Sequence, residues 1–331
     1  MRWLINDDDG ASMVLVAISM VVLLAFVGLV IDVGRIYDER RQLSRGADAV
    51  VLAIAADCAT FAKPCDDATA LATGEEYADA NAGDGAAAIE SLELNVAERR
   101  VWVRTKTIVA ETGSDELEMF LAWIVGFDSL TVYGQAEAIW DYPTGGAALP
   151  LIISVCEYER WVDPDTGPDP DLSVIIYFHD GNTTEDCNAQ AGQDSNGDGV
   201  LSGGFGWLST DGNCSADVYD GNWVYEDPGS SASTGCSAEM LYNLIYDKTV
   251  IIPYFNDTQG LGANGQYRIA GLGAFHVTGY NFGGQYKAPS SSLAPCSGDE
   301  RCVAGYFTTD QIDQGQIGGE NFGVVLVKLV G

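Results

Sequence analysis

The feature that most constrains this chain is an uninterrupted apolar run near its N-terminus. Residues 11–31 form a stretch of 21 positions without a charged side chain. At about 1.5 Å per residue, a helix of this length matches a hydrocarbon core of about 30 Å. A cleaved secretory signal has a shorter apolar core and a small-residue cleavage site, whereas the residues VIDVGR follow directly here. We therefore predict a retained transmembrane helix over 11–31, preceded by a cytoplasmic tip over 1–10.

The residues after this run continue a helical pattern. Apolar side chains recur at steps of three and four residues from Ile36 through Leu43, Ala47 and Val50, which is the periodicity of one helix face. No proline interrupts the chain before Pro64. The pattern predicts an amphipathic stalk helix over 32–58 that continues the membrane span, as in a pilin-type stalk.

The N-terminal segment carries a family resemblance. The run GASMVLVAISMVVLLAFVGLVIDVGRIYDERRQLSRGADAVVLAIA resembles the start of TadE/TadG-like proteins of Flp (Tad) pilus assembly, in which an apolar span leads into a D-V-G-R motif, here Asp32, Val33, Gly34 and Arg35. The segments GGFGWLSTDGNC, YRIAGLGAFHVTGY and CVAGYFT are similar to parts of the larger members. The resemblance implies a membrane-anchored, pilin-like envelope protein. Its implied partners are the lipid bilayer and other pilin-like or pilus-assembly proteins.

The cysteines indicate the compartment of the body. None forms a C-x-x-C pair, and the chain has only two histidines, so disulfides are favoured over a zinc or iron site. Two local pairs are expected, and the other four cysteines allow three pairings. The disulfide candidates are Cys58 with Cys65, Cys296 with Cys302, and Cys156, Cys187, Cys214 and Cys236. Free buried thiols are the alternative for the first pair.

The charges next to the span, taken alone, suggest that the body lies in the cytoplasm, whereas disulfides suggest that it lies outside. One arginine, Arg2, precedes the span and four follow it between residues 35 and 45, so the positive-inside rule alone would leave the body in the cytoplasm. Long domains translocate largely regardless of charge, and disulfides require an oxidising compartment. We therefore expect a single-pass protein of the cytoplasmic membrane, with its body in the periplasm or at the cell surface.

The overall charge excludes one class of partner. The chain has 331 residues, with 48 acidic and 16 basic side chains and a formal net charge of −32. Such a surface repels phosphate backbones, so nucleic-acid binding is not expected. Hydrophobic residues nevertheless make up 47% of the chain, which indicates a folded protein rather than an acidic disordered tail.

Local patterns divide the body into three segments. A pilin-like α+β module over 59–142 is predicted from a short helix, a hairpin with alternating Leu92, Leu94, Val101 and Val103, a helix over 114–125 and a further strand. A proline-rich connection over 143–171 includes one strand in LPLIISVCEY, and short apolar runs between glycine-rich loops predict a β-rich extracellular domain over 172–331. The fold class is thus α+β: a long N-terminal helix, a small α+β module and a mostly β, disulfide-bonded C-terminal domain.

One loop has the pattern of a calcium site. Oxygen ligands recur at loop positions 1, 3 and 5, a glycine lies at position 6, and positions 7 and 9 offer a carbonyl and a hydroxyl. Position 12 is Phe205 instead of a glutamate, so any affinity belongs to the weak extracellular range of about 10⁻⁴–10⁻³ M. An acidic surface turn is the alternative, and a bound calcium ion would be structural. The candidate ligands are Asp194, Asn196, Asp198, Val200 and Ser202.

Catalytic motifs and a small-molecule substrate site are not apparent. The sequence contains no G-x-S-x-G, phosphate-binding glycine loop or H-E-x-x-H. His276 in an apolar strand is expected to be a packed histidine, His179 a strand-end residue, and Trp207, Trp223 and Tyr225 packing residues rather than sugar platforms. We therefore predict a non-enzymatic role in Flp/Tad-type pilus assembly or as a minor pilus component. The alternatives are a surface adhesin that binds a glycan or protein, and a secreted hydrolase.

Overall fold

The chain folds into two compact units. The structure is a computed structural model, and it describes residues 8–83, 85–177, 205–210, 212–228, 232–260, 264–289, 293–298, 300–312 and 315–330. The N-terminal unit comprises Met1–Ala55, Lys63–Ile139 and Lys328–Gly331. The C-terminal unit comprises Ala56–Ala62 and Trp140–Val327.

The longest element is the N-terminal helix α1. It runs over Asp8–Ala59, and its 52 residues correspond to a length of about 78 Å. Its segment Ser12–Ala59 is long and apolar enough to cross a membrane, with a mean hydropathy of 3.1 in its most apolar window, and only 6% of that window is buried within the protein. The predicted long helix is confirmed as one continuous element.

The rest of the N-terminal unit is a small α+β arrangement. Strands β1, β2 and β5 lie side by side and run antiparallel, so that Leu92 pairs with Val103 and Val103 with Ala136. Near the C-terminus, the N–H of Val330 donates to the carbonyl of Glu137 on β5 at 2.8 Å. The elements after α1 are α2 (Asp67–Asn81), β1 (Ala87–Asn95), β2 (Arg100–Thr107), β3 (Leu117–Glu118), a 3₁₀ helix (Ala122–Val125), β4 (Ser129–Leu130) and β5 (Tyr133–Asp141).

The second half of α1 supplies the core of this unit. A buried stripe at helical spacing contains Leu43, Ala47, Val50 and Ile54, each no more than 2% exposed. Gly134 on β5 permits close approach, because a Cβ there would lie 2.4 Å from the Leu43 carbonyl carbon. The Thr105 hydroxyl on β2 also donates to the Leu43 carbonyl oxygen at 3.0 Å. The helix and the sheet are thus joined by packing and by a buried hydrogen bond.

The C-terminal unit is mostly β, as predicted. Its main sheet has eight strands in the order β8-β15-β13-β12-β7-β9, with β11 and β14 also paired to β13, and it is built around the long antiparallel β12–β13 hairpin. Strands β6 and β10 form an antiparallel pair, and β16 and β17 a parallel one. The elements are β6 (Gly145–Ala148), β7 (Leu151–Ser154), α3 (Val155–Trp161), β8 (Val174–Tyr177), β9 (Phe205–Trp207), β10 (Ala216–Tyr219), β11 (Trp223–Tyr225), α4 (Ala238–Ile245), β12 (Lys248–Gln259), β13 (Gln266–Asn281), β14 (Lys287–Ala288), β15 (Cys302–Thr308), β16 (Asp310–Ile312) and β17 (Val324–Leu329).

Aromatic rings fill much of this second core. The ring of Tyr158 on α3 makes edge contacts with Tyr254, Phe307 and Phe322, with centroid separations of 5.2–5.4 Å. Tyr254 is completely buried. Burial raises the pKa of Tyr158 and of Tyr254 above the ordinary tyrosine value, so both rings stay neutral.

Disulfides are present in the described part of the chain. Cys214 pairs with Cys236 and Cys296 with Cys302, which confirms the second local pair. The first of these bonds excludes the two connectivities that would join Cys156 to Cys214 or Cys236. Cys58, Cys65 and Cys156 are also disulfide-bonded, whereas Cys187 lies outside the described residues.

Two local predictions were wrong. The segment 114–125 is not one α-helix: it contains β3, a bend and the 3₁₀ helix, because the backbone N–H groups of residues 120–122 bind a side chain on α1 instead of carbonyls one helical turn earlier. LPLIISVCEY is a strand only as far as Ser154. The Ser154 hydroxyl accepts a hydrogen bond from the N–H of Glu157 at 3.2 Å and caps the start of α3.

Candidate functional site at the end of the apolar run

Asp32 of the D-V-G-R motif is the most closely bound side chain at the end of the apolar run. It is only 2% exposed. Its Oδ2 accepts hydrogen bonds from the N–H groups of Leu121 and Ala122, both at 2.8 Å, and its Oδ1 accepts one from the N–H of Phe120 at 2.6 Å. One carboxylate therefore fixes three consecutive backbone groups that lie about ninety residues later in the chain.

The hydrogen bonds keep this carboxylate charged. Burial by itself would raise the pKa of Asp32, but the donors Leu121, Phe120 and Ala122 and the positive charge of Arg35 together lower it below the ordinary aspartate value. The carboxylate is therefore ionised at neutral pH. Its role in this geometry is to accept hydrogen bonds, since all three contacts require oxygen acceptors.

Of the other motif residues, Arg35 contacts the rest of the N-terminal unit, whereas Val33 and Gly34 lie on an uncovered part of α1. Arg35 extends the contact, because its Nη1 donates to the carbonyl oxygen of Glu118 at 3.1 Å. Val33 is 56% exposed, and a Cβ on Gly34 would meet no atom within 4 Å. Asp32 and Arg35 thus bind the backbone of residues 118–122, whereas Val33 and Gly34 leave an open surface on the helix.

The segment held by Asp32 and Arg35 comprises residues 117–130, here called the tethered loop. Its two ends pair as β3 and β4, with Leu117 opposite Leu130. Leu121 lies against α1 at Gly28, since a Cβ on Gly28 would be 1.8 Å from Leu121 Cδ1. A Cβ at this position would overlap the Leu121 side chain as it lies here, so the contact between loop and helix begins inside the apolar run.

Sequence reasoning identified the motif but not its partner. The D-V-G-R residues carry the family resemblance, whereas the sequence predicts a helix for most of the tethered loop. The signal that marks the loop is its composition: FLAWIVGF places large apolar side chains in a segment without a helical or strand period. A contact across about ninety residues has no local sequence signature.

The other predicted site residues are spread over the C-terminal unit. The calcium-loop residues and His179 lie outside the described residues. His276 is packed as predicted: it stacks on Tyr306, its Nδ1 lies 3.1 Å from the Thr249 hydroxyl and its Nε2 lies 3.5 Å from Asp247. Trp207 is completely buried against Phe282, which leaves no face for a sugar.

Within the described ranges, no group of three or more His, Cys, Asp or Glu side chains is placed to hold a metal ion. Trp223 and Tyr225 lie on β11, and Tyr225 is 56% exposed. Asp32 and Arg35 are the predicted site residues that the structure shows together, since both bind backbone groups of residues 118–122.

An apolar helix that continues without a break as the core helix of an α+β unit fits a single-pass membrane protein. Residues 10–57 match the family model Tad, whose description is Flp pilus-assembly TadE/G-like. This confirms the resemblance predicted from the sequence, and the matched residues coincide with α1. No curated protein and no solved structure matches the chain.

Proposed function

We propose that this protein acts in Flp/Tad-type pilus assembly or as a minor component of such a pilus. The observation that carries the proposal is the coincidence of the family match at residues 10–57 with the continuous helix α1 over Asp8–Ala59. The part of the chain that resembles pilus-assembly proteins is thus one continuous helix. The proposed role therefore depends on which proteins this helix can contact.

The helix offers a surface for other helices. Large apolar side chains from Met13 to Ile31 are 43–76% exposed, and the buried stripe occupies one side of the second half only. Gly34 and Val33 lie at the membrane exit on a side that the N-terminal unit leaves open. A second helix can approach closely where a glycine has no neighbour, as small residues allow in membrane helix pairs. We propose that residues 14–55 pack against other pilin-like proteins through this side.

The body is proposed to lie outside the cytoplasm and to have no enzymatic role. The disulfides Cys214–Cys236 and Cys296–Cys302 support the location, because such bonds persist in oxidising compartments. The tip over 1–10 would then be cytoplasmic. The calcium loop at Asp194–Ser202 remains a prediction from the sequence. A calcium titration of the full chain followed by its unfolding temperature tests it, and no shift at millimolar calcium would contradict it.

The first experiment is genetic. Deletion of the gene is expected to abolish or strongly reduce surface pili and pilin export, and the full chain supplied in trans is expected to restore both. Electron microscopy counts the pili, and immunoblotting of sheared material measures the exported pilin. Piliation and export that remain unchanged after deletion would refute the proposed role.

The second experiment uses two glycines of α1 to separate partner contact from folding. Gly34→Leu places a side chain on the open face and is expected to leave the fold intact while it lowers piliation, since nothing in the chain lies within 4 Å of that position. Gly46→Ala is the matched control, because the nearest atoms to its Cβ are at an ordinary 3.8 Å. If Gly34→Leu complements the deletion as well as Gly46→Ala does, close packing at the exit is wrong.

A further inference from the structure

We infer that the tethered loop is a second membrane contact, which rests in the headgroup region of the bilayer that α1 crosses. The ligand is the phospholipid interface itself. The inference depends on α1 spanning a bilayer and does not depend on the pilus role. It comes from the depth of the loop, from the side chains that it exposes and from the charges around it.

The depth follows from the contact between Leu121 and Gly28. The apolar run ends at Ile31, three residues after Gly28, so Leu121 lies about 4.5 Å inside the end of the run. Asp32, which binds the N–H groups of residues 120–122, is the first residue beyond the run. The headgroup region adds about 5–8 Å on each side of a hydrocarbon core of about 30 Å. A loop fixed at Gly28 and Asp32 therefore cannot lie outside that region while α1 spans the membrane.

The exposed side chains fit this environment. Phe120, Trp123 and Phe127 are 62%, 57% and 68% exposed, an unusual concentration of uncovered rings for a segment of eight residues in water. Trp and other amphipathic rings are enriched at the membrane–water boundary, where one part of the ring is apolar and the other is hydrated. The indole N–H of Trp123 is already bonded to the carbonyl of Phe120 at 3.2 Å, which lowers the cost of placing the ring among lipids.

The charges favour lipid over a second copy of the chain. Asp115, Glu116, Glu118 and Asp128 lie in or beside the tethered loop, so two loops from two copies would bring like charges together. The same acids disfavour anionic lipid, which points to a zwitterionic phospholipid surface. Arg35 lies four residues beyond Ile31, about 6 Å along the helix, at the level of the phosphates. A guanidinium group has five N–H donors, and the described bond to the Glu118 carbonyl oxygen uses one of them, so Arg35 can also donate to a phosphate oxygen.

The test measures the depth of Trp123 by fluorescence. The full chain is reconstituted as single copies in phosphatidylcholine nanodiscs, with the acyl chains brominated either near the glycerol end or near the methyl end. The chain has seven tryptophans, so the Trp123 signal is obtained as the difference between the unsubstituted chain and Trp123→Phe. The matched control is Trp102→Phe on β2, a half-buried position away from the loop.

The expected result is a blue-shifted Trp123 difference spectrum that bromines near the glycerol end quench more strongly than bromines near the methyl end. The Trp102 difference should be insensitive to both. A Trp123 signal that is red-shifted and unquenched would place the ring in water and overturn the inference. A blue-shifted but unquenched signal would overturn it too, because a protein surface would then cover the ring.

A second reporter keeps the test independent of one substitution. In the Trp123→Phe, Phe127→Trp double variant, the new indole occupies the most exposed ring position of the loop. It is expected to show the same preference for shallow bromines. Absence of quenching at position 127, with α1 inserted as judged by protection from external protease, would contradict the placement of the loop.

Discussion

The cores of the two units are built from different side chains. In the N-terminal unit, the buried face consists of aliphatic residues of α1, such as Leu43, Ala47 and Val50, against the valines of β2. In the C-terminal unit, the core contains stacked and edge-on aromatic rings, and two disulfides join nearby segments. Residues of the N-terminal helix α1 form one side of the first core, whereas the second core consists of residues from the C-terminal half of the chain.

This difference indicates how each unit depends on its surroundings. Because the buried stripe of α1 forms part of the core of the N-terminal unit, folding of that unit is coupled to the helix that contains the candidate membrane span. The C-terminal unit contains the disulfides Cys214–Cys236 and Cys296–Cys302 and an apolar cluster built from its own residues. A substitution in one core should therefore act first on the unit that contains that core.

The largest effect is expected from Val50→Asp. Val50 is fully buried on the stripe of α1, and an unpaired carboxylate there should cost about 4 kcal/mol or more, which unfolds the N-terminal unit. Hydrogen exchange with mass spectrometry in micelles should show lost protection in β1 and β2 and none lost in β12 and β13. Val96→Asp, at a position that is 50% exposed, is the control. Equal loss in both units would show that their cores are not independent.

Removal of a disulfide is expected to destabilise the C-terminal unit instead of the N-terminal one. Cys214 and Cys236 are 22 residues apart, so replacing both with serine should destabilise the C-terminal unit by about 3 kcal/mol on the loop-entropy estimate. The Cys296–Cys302 pair closes a loop of separation 6 and should contribute about 2 kcal/mol. Urea unfolding followed by tryptophan emission measures both variants. A larger loss from the shorter loop would contradict the estimate.

A smaller effect is expected from Gly134→Ala. The new Cβ would lie 2.4 Å from the Leu43 carbonyl carbon and 2.6 Å from the Ser44 nitrogen, both backbone atoms of α1. Because neither can move without shifting the helix, the change should cost about 2 kcal/mol in the N-terminal unit alone. Gly34→Ala has no such neighbour and should be neutral or stabilising, by up to about 1 kcal/mol. Thermal unfolding of the two variants side by side is the measurement.

The smallest and most local change is expected from Asp32→Asn. An amide offers one oxygen acceptor where three N–H groups are bound, so one or more of Phe120, Leu121 and Ala122 loses its acceptor. Exchange at these three amides should accelerate by about 10-fold or more, while β1 and β2 stay protected. Arg35→Gln is the companion variant and should loosen only Glu118. Unchanged exchange at residues 120–122 would show that Asp32 does not hold the loop.

The same tether has a defined pH dependence. The pKa of Asp32 in the folded protein is below the ordinary value, so its stabilising effect is fully present above about pH 4 and is lost as the pH falls through the lowered pKa. Protection of residues 120–122, corrected for intrinsic exchange rates, should be constant from about pH 7 to about pH 5 and should decrease only in stronger acid. In Asp32→Asn this dependence should disappear.

The sequence predicted elements whose cause is local and missed those whose cause is distant. The span follows from an uncharged apolar run and the stalk and the hairpin from periodicity, and Val101 and Val103 are buried in alternation as the pattern predicts. The helix expected over 114–125 does not form, because Asp32 binds the amides that a helix would use. Ser154 ends a predicted strand early by capping α3. The D-V-G-R motif was found from its sequence alone, but its loop partner depends on the fold.

The contacts along α1 also have a mechanical consequence. The tethered loop contacts α1 at Gly28 and Asp32, and the small sheet contacts it at Leu43, which is about 22 Å further along the axis from Gly28. These two groups of contacts share any force that is applied to the small sheet. Bending of α1 between them would have to break one of the two groups. A force on the sheet is therefore transmitted along α1 toward its apolar half.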